Sequence, residues 1–502
     1  MTPATDTAAP RGAPDYPQLL GHPRPLWMLF MSEFWERFAF YGMRWALTLY
    51  IVAQFYGGDD AGQASASRTY GAYLALVYAT AVFGGYVADK IIGYQRSILL
   101  GAVVMSAGLF MVMVPNHQVF MFGLATVIVG NGLFKPNISS MVGQLYAPGD
   151  SRRDRGFTLF YMGINAGALI APVLTSLLAT RVFGTPGHQN YHVVFAASGV
   201  GMLISLVWFW FGRRQLGMVG RPAPEIASRV RVVWVALGVL VAIPLVYLLM
   251  DRAGAVVLQW LLTVLFLGVA VMLVVEAIRT GRVQIQRVIA MLIIFAFNVL
   301  FWMFFEQAGS SFNFLAQHIV DRNLGGWDFP IGWFQSVNPV AIVLLAPLVT
   351  LVWAWLDKRR AEPSIPRKFG LGLIGNALGF AVLMYALSNL VGSDGMIPLW
   401  TLVLCYVLQT AGELCLSPIG LSMVTKLAPL RLVGLGMGGW FLSTAIGNNL
   451  AGLFAGHVSG ETGMTVESAL SGYTMGFWIL LGGGVVLFLI APLINKLMHG
   501  VR

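Results

Sequence analysis

Glu33-Phe34-Trp35-Glu36-Arg37-Phe38-Ala39-Phe40-Tyr41-Gly42-Met43-Arg44 sets four charges inside an otherwise apolar stretch running from Pro25 to Tyr56. That stretch is long enough to cross a bilayer, which takes about 20 mostly apolar residues in helical form. A charge at mid-membrane costs from roughly 3 to more than 10 kcal/mol, so such residues are rare and usually line a pathway. Helical spacing sharpens the point: Glu33, Arg37, Tyr41 and Arg44 recur at i, i+4, i+8 and i+11 and share one face, with Glu36 at its edge. One reading is a self-neutralising cluster that only locks the helix to its neighbours. The other is a polar cavity reached by water, and it is favoured because packing alone is better served by small or apolar residues.

The chain has 502 residues, 57% of them hydrophobic and only 10% charged. That composition excludes a soluble globular protein and predicts an all-α integral membrane protein. Residues 1–24 are polar, rich in Pro, Ala and Thr, and lack a basic leader with a cleavage site, so they are expected to form a disordered cytoplasmic tail. Cys405 and Cys415 lie on one span about 15 Å apart by helical rise, too far for a disulfide.

Fourteen apolar spans are predicted, near 25–56, 70–88, 97–114, 119–146, 157–180, 192–211, 233–249, 255–276, 288–318, 330–356, 370–391, 397–425, 432–457 and 472–495. The net charge of +10 could be taken for a nucleic-acid footprint, but the basic residues are sorted by loop rather than arranged in a stripe. Only Arg68, Arg181, Arg252 and Arg322 fall in outer loops, and Arg37, Arg44 and Lys135 lie within spans. The rest of the 31 Lys and Arg fall in alternate segments, which places both termini in the cytoplasm and Asp251-Arg252 outside. The positive charge is a mark of topology, and no nucleic-acid partner is expected.

The chain also repeats itself. Phe34-Trp35 followed by Gly42 matches Phe301-Trp302 followed by Gly309, and Asp89-Lys90 matches Asp357-Lys358 at nearly the same offset. Two matches at one offset predict two homologous six-helix bundles, 25–212 and 288–502, in the major facilitator arrangement with a substrate site at the midplane. Residues 213–287 then form a linker carrying an inserted two-helix hairpin, more structural than functional. Gly85-Tyr86-Val87-Ala88-Asp89-Lys90, with Gly93 and Arg96, resembles the cytoplasmic loop signature of that superfamily. Its Asp and bases could latch two helix ends together, or could simply be solvated.

Beyond the first span the intramembrane ionisable groups are Lys135, Glu306 and Glu413. Lys135 precedes Pro136 and Glu413 precedes Ser417-Pro418, and proline within a membrane helix is tolerated where a cavity or partner meets the freed backbone groups. Glu306 sits beside Phe304 and Phe305, a dehydrated setting in which a carboxyl can exchange its charge for a proton. Asn165, Asn338, Tyr78 and Trp440 add hydrogen-bonding or stacking capacity, though each alone serves more readily as a tie between helices than as a ligand contact. Glycine pairs such as Gly434/Gly438 and Gly452/Gly456 are packing devices. No His-Glu-x-x-His or Gly-x-Ser-x-Gly occurs, so neither an enzyme nor a metal or other cofactor is expected.

Four motifs in order, Glu33-x-x-Glu36-Arg37-Phe38, Phe134-Lys135-Pro136-Asn137, Phe305-Glu306-Gln307-Ala308-Gly309-Ser310-Ser311 and Gly412-Glu413-Leu414-x-x-Ser417-Pro418, resemble the proton-coupled oligopeptide transporter family of the major facilitator superfamily, in its prokaryotic form. The resemblance runs from about Pro25 to the end and accounts for the two extra helices. It implies import of di- and tripeptides with protons across the cell (inner) membrane. By position it implies Glu33, Glu36, Arg37, Lys135 and Glu306 in proton coupling. Arg44 and Lys135 would receive the peptide carboxylate, Glu413 with Asn165 and Asn338 the ammonium, and Tyr41, Tyr78 and Trp440 would line the pocket. Phe40 stands where the family often has a tyrosine, which removes a hydroxyl and bears on side-chain preference. The rival readings are a relative carrying nitrate or a glucoside, which tends to lose the Glu-x-x-Glu-Arg cluster, and a proton/drug antiporter, which differs in direction of transport.

Overall fold

The computed structural model describes residues 16–147, 150–185, 188–224, 227–251 and 254–501. Its first helical set is α1 (Arg24–Arg44), α2 (Leu47–Phe55), α3 (Gln63–Val87), α4 (Tyr94–Val112), α5 (His117–Gln144), α6 (Arg153–Leu177) and α7 (Tyr191–Gly212). A pair follows, α8 (Arg229–Asp251) and α9 (Gly254–Thr280). The second set is α10 (Arg282–Phe305), α11 (Ser311–His318), α12 (Phe334–Lys358), α13 (Ile365–Asn389), α14 (Leu399–Leu414), α15 (Ser417–Leu427), α16 (Val433–Ser459) and α17 (Val466–Met498). Among the described residues twelve helical segments are long and apolar enough to cross a membrane. The other two of the fourteen expected are also helical: the charged α1–α2 segment, and α16 with its glycines and Asn448-Asn449.

Local chemistry sets the ends and breaks. Pro25 opens α1, where a missing N–H costs nothing. The Asn116 side chain accepts from Val119 N at 3.1 Å to cap α5, and Thr465 with Ser468 forms a reciprocal cap on α17. The first span breaks at Trp45-Ala46 just after Arg44, and the ninth tightens over Glu306–Gly309. Pro418 starts α15 after a break that follows Glu413, whereas α5 runs unbroken through Pro136.

Helix contacts repeat between the sets. In the first, α1 packs on α6 and α7, α4 on α5 and α7, and α3 on α5. In the second, α10 packs on α16 and α17, α13 on α14 and α17, and α12 on α14. The sets meet along two seams, α3 with α16 and α6 with α12, so the second helix of each meets the fifth of the other. On the first seam the backbones touch: a Cβ on Gly71 would lie 2.7 Å from Gly452 Cα. The pair straddles the sets, with α8 on α5 and α9 on α16 and α10.

Residues 16–24, expected within a disordered tail, are ordered, whereas the rest of that tail, residues 1–15, lies outside the described residues. Gln18–Leu19 pairs antiparallel with His22–Pro23. Tyr16 Oη donates to Leu216 O just past α7 (2.8 Å), and His22 Nδ1 meets Tyr146 Oη at 2.8 Å. Burial, with Arg155 and Arg152 nearby, lowers the His22 pKa from the ordinary imidazole value, and burial pushes the Tyr146 phenol up to about 12. The other end of the chain lies on the same side, where His499 meets Gln286 at the start of α10. We call this the terminal side and the opposite one the far side.

Candidate functional site

The charges of α1 are neutralised within their own helical set. Arg37 donates to both carboxylate oxygens of Glu36, by Nη2 at 2.5 Å and by Nε, and Nε lies 3.4 Å from Glu33 Oε1. Asn131 Nδ2 of α5 donates to Glu36 Oε1 at 3.1 Å. Glu36 is 0% exposed and Arg37 3%, so the pairing has to offset a heavy loss of hydration. The Arg37 guanidinium also lies over the Phe40 ring (4.9 Å), and Glu33 Oε2 is buried without a hydrogen-bond partner. Lys135 is near enough to Glu33, Glu36 and Glu306 to act on each through its charge, and its Nζ rests 4.4 Å from the centre of the Tyr78 ring.

Arg44 is different. Its Nη2 reaches Glu306 Oε2 of the second set at 2.5 Å, while its Nε donates to Tyr70 Oη at 2.6 Å. The two breaks noted above present these groups, since Arg44 ends α1 and Glu306 opens the tight turn after α10. A cation at a helix C-terminus is additionally favoured by the carbonyls there. Gly309 lets Tyr70 approach, because any Cβ at that position would collide with the phenol. Further ties lie toward the far side: Thr48 Oγ1 donates to Gly309 O (3.2 Å), Asn313 Nδ2 to Trp45 O (2.9 Å), and Met464 N to Gln63 Oε1 (2.9 Å).

Across from Arg44, Asn338 Nδ2 donates to Glu413 Oε2 and to Thr410 Oγ1, both at 2.9 Å. A cavity of about 30 Å³ lies between, walled by Tyr41 and Arg44 from one set and by Phe305, Asn338, Tyr406 and Gln409 from the other. Tyr161, four residues before Asn165 on the same helix, is 45% exposed. The hydrogen bonds between the two sets on the far side of the Arg44–Glu306 pair tie that side together.

Two expected site residues stand apart. Asn165 donates to Tyr161 O of its own helix (2.9 Å) and makes no hydrogen bond to Glu413. Trp440 is buried against Phe295, Phe369 and Gly420 inside the second set, so it is a packing residue in this state. Asp89 accepts from Tyr94 Oη, and Arg96 donates to Ala227 O (2.9 Å), so the loop signature forms no Asp–base latch here. Conversely, Tyr70, Asn131, Tyr406 and Gln409 belong to the site and were not singled out from sequence. Asn131 had a legible signal, four residues before Lys135 on the same face. Among the described residues no group of His, Cys, Asp or Glu is placed to hold a metal ion.

Two matching helical sets around a buried, oppositely charged midplane site define a secondary transporter of the major facilitator class. Residues 95–464 match the family described as the POT family. The chain is 36% identical to Peptide transporter YePEPT of Yersinia enterocolitica, over 99% of each chain. It is 34% identical to the Di-/tripeptide transporter of Lactococcus lactis, over 96% of this chain and 98% of that one. The crystal structure of peptide transporter POT in complex with sulfate superposes with a TM-score of 0.81 at 33% identity, covering 96% of this chain and 97% of the other. The chain belongs to the POT family and is a multi-pass membrane protein.

Proposed function

We propose that this protein imports di- and tripeptides in symport with protons across the cell membrane, with the terminal side in the cytoplasm and no enzymatic step. The observation that carries the reading is the Arg44–Glu306 pair, joined across the two sets beside a cavity whose opposite wall holds Asn338, itself hydrogen-bonded to Glu413. A proton on Glu306 releases Arg44, which is then the cation that a peptide carboxylate meets. Glu413 offers the matching anion for the ammonium, so a short zwitterion bridges the sets and favours their closure around it. Glu33, Glu36, Arg37 and Lys135 hold a second set of coupled charges above Tyr78. Each charge moved through 100 mV supplies roughly 2.3 kcal/mol, close to fifty-fold in concentration.

The relatives named above, a peptide transporter and a di-/tripeptide transporter, support this substrate class. The test is uptake into proteoliposomes with acid outside. Dialanine and trialanine should accumulate uphill, and dialanine with an amidated C-terminus or acetylated N-terminus should compete poorly. Equal competition by the blocked peptides removes the two-ended clamp, and absence of acid-driven accumulation removes proton symport.

A further inference from the structure

The inserted pair encloses something of its own. A groove of about 710 Å³ runs between α8–α9 and the α3–α5 face of the first set. Its walls are apolar, including Phe83, Val87, Val129, Trp234 and Leu245. The hydroxyl of Thr80 in that wall is spent on the carbonyls of Leu76, Val77 and Ile128. The groove-facing stripe of α8 runs from Trp234 to Leu249, about 22 Å by helical rise, which is more than one leaflet's share of a hydrocarbon core about 30 Å thick. Both helices are membrane spans, so the medium at the groove mouth is acyl chain and not water.

The terminal-side end of the groove has a different character. Arg231 precedes Trp234, Val235 and Gly238 at helical spacing and heads their stripe. Lys90 stands next to Ile91, which lines the groove, and α8 packs on that same turn. Among the described residues neither base has a hydrogen bond or ion pair, for Asp89 is taken by Tyr94. Trp234 is 67% exposed at this level, where aromatic rings favour the headgroup zone.

We propose that the groove binds one anionic phospholipid, with an acyl chain between α8 and the α3–α5 face and its phosphate over Lys90 and Arg231. An apolar slot within a membrane span, with two unpaired cations on the elements that frame its terminal-side end, matches that ligand. Because α8 rests on the first set and α9 on the second, the lipid fills the space beside the seam between the sets and holds the hairpin in register with both.

The test is native mass spectrometry of the full-length protein in detergent with added phosphatidylglycerol or phosphatidylcholine. The wild type should retain one phosphatidylglycerol in preference to phosphatidylcholine. A Cβ on Gly238 meets nothing within 4 Å, so Gly238→Phe fills the groove without a clash at the backbone, and it should lose the retained lipid of either kind. The pair Lys90→Gln with Arg231→Gln should keep phosphatidylcholine-level binding but weaken phosphatidylglycerol about thirty-fold. Equal retention of the two lipids by the wild type, or undiminished retention by Gly238→Phe, overturns the proposal. These readouts do not depend on what the protein transports.

Discussion

The first helices of the two sets, α1 and α10, begin from a related pattern, Phe-Trp followed by Gly, and occupy matching places among their neighbours. Their chemistry diverges. In α1 the buried acid Glu36 is held by Arg37 on the next residue and by Asn131 of the same set. After α10 the buried acid Glu306 is held by Arg44, which belongs to the other set. A charge pair within one rigid body survives any movement of the bodies. A pair between bodies must break when they separate. The first therefore helps secure a fold, and the second, on the proposed function, changes with conformation.

The largest effect expected from this contrast is on stability. Glu36→Ala leaves Arg37 with Glu33, at 3.4 Å, as its ion-pair partner, and breaking a buried pair by removing one partner costs about 3–5 kcal/mol. Thermal unfolding in detergent should show a marked drop, present with and without peptide. A melting point unchanged by Glu36→Ala would mean that the cluster is hydrated and plays no part in holding the first set together.

A smaller effect, of a different kind, is expected at the other pair. Glu306→Gln removes a charge-assisted bond of about 1.5–3 kcal/mol but leaves Arg44 bonded to Tyr70. Spin-label distances across the far side should shift toward the open form, whereas unfolding should change little. The same variant should lose acid-driven accumulation of dialanine while keeping exchange at equal pH. Undiminished accumulation would move the proton role to Glu33 and Glu36.

The smallest effect lies outside the membrane. Asp150 is held at about 2, below the ordinary carboxylate value, chiefly by hydrogen bonds from the Arg152 side chain and backbone. A carboxyl depressed on folding adds stability above its unfolded value near 4 and loses it as pH falls through about 2. Between pH 5 and 8 both forms of Asp150 are ionised. Asp150 also acts on His22, so the melting-temperature difference between wild type and Asp150→Asn should be constant from about pH 7 to 8, where His22 is neutral, and should grow below that only as His22 gains charge. A difference that varies from about pH 7 to 8 would place another group in control of this loop.

Much of this arrangement was legible from residue spacing alone. The fourteen spans and the charged face of α1 follow from hydropathy and from the cost of burying charge, both of which act locally. Glu36–Arg37 is local too. What escaped was set by partners far away in sequence: Tyr70 is one of 16 tyrosines, and nothing in its neighbours marks it as the donor's partner at Arg44. The resemblance implies Trp440 as a pocket residue, whereas Phe295, Phe369 and Gly420 enclose it in this state, as an inter-helix tie would be. The ordering of residues 16–24 was hidden because a short polar segment carries no hydropathy signal, and its ties to Leu216 and Tyr146 exist only in the folded chain.

The glycine contact between α3 and α16 gives the molecule a mechanical gear ratio. Gly71 and Gly452 meet backbone to backbone, with no side chains to interlock, so one helix can roll on the other at that point. Along α3 the contact is about 12 Å from the far-side end at Gln63 and about 24 Å from Val87 at the other. A roll about it moves the terminal rim roughly twice as far as the far rim. A rocking about this contact that parts the far rim closes the opposite mouth by about twice as much, while the Arg44–Glu306 pair, held beside Tyr70, lies close to the level of the pivot.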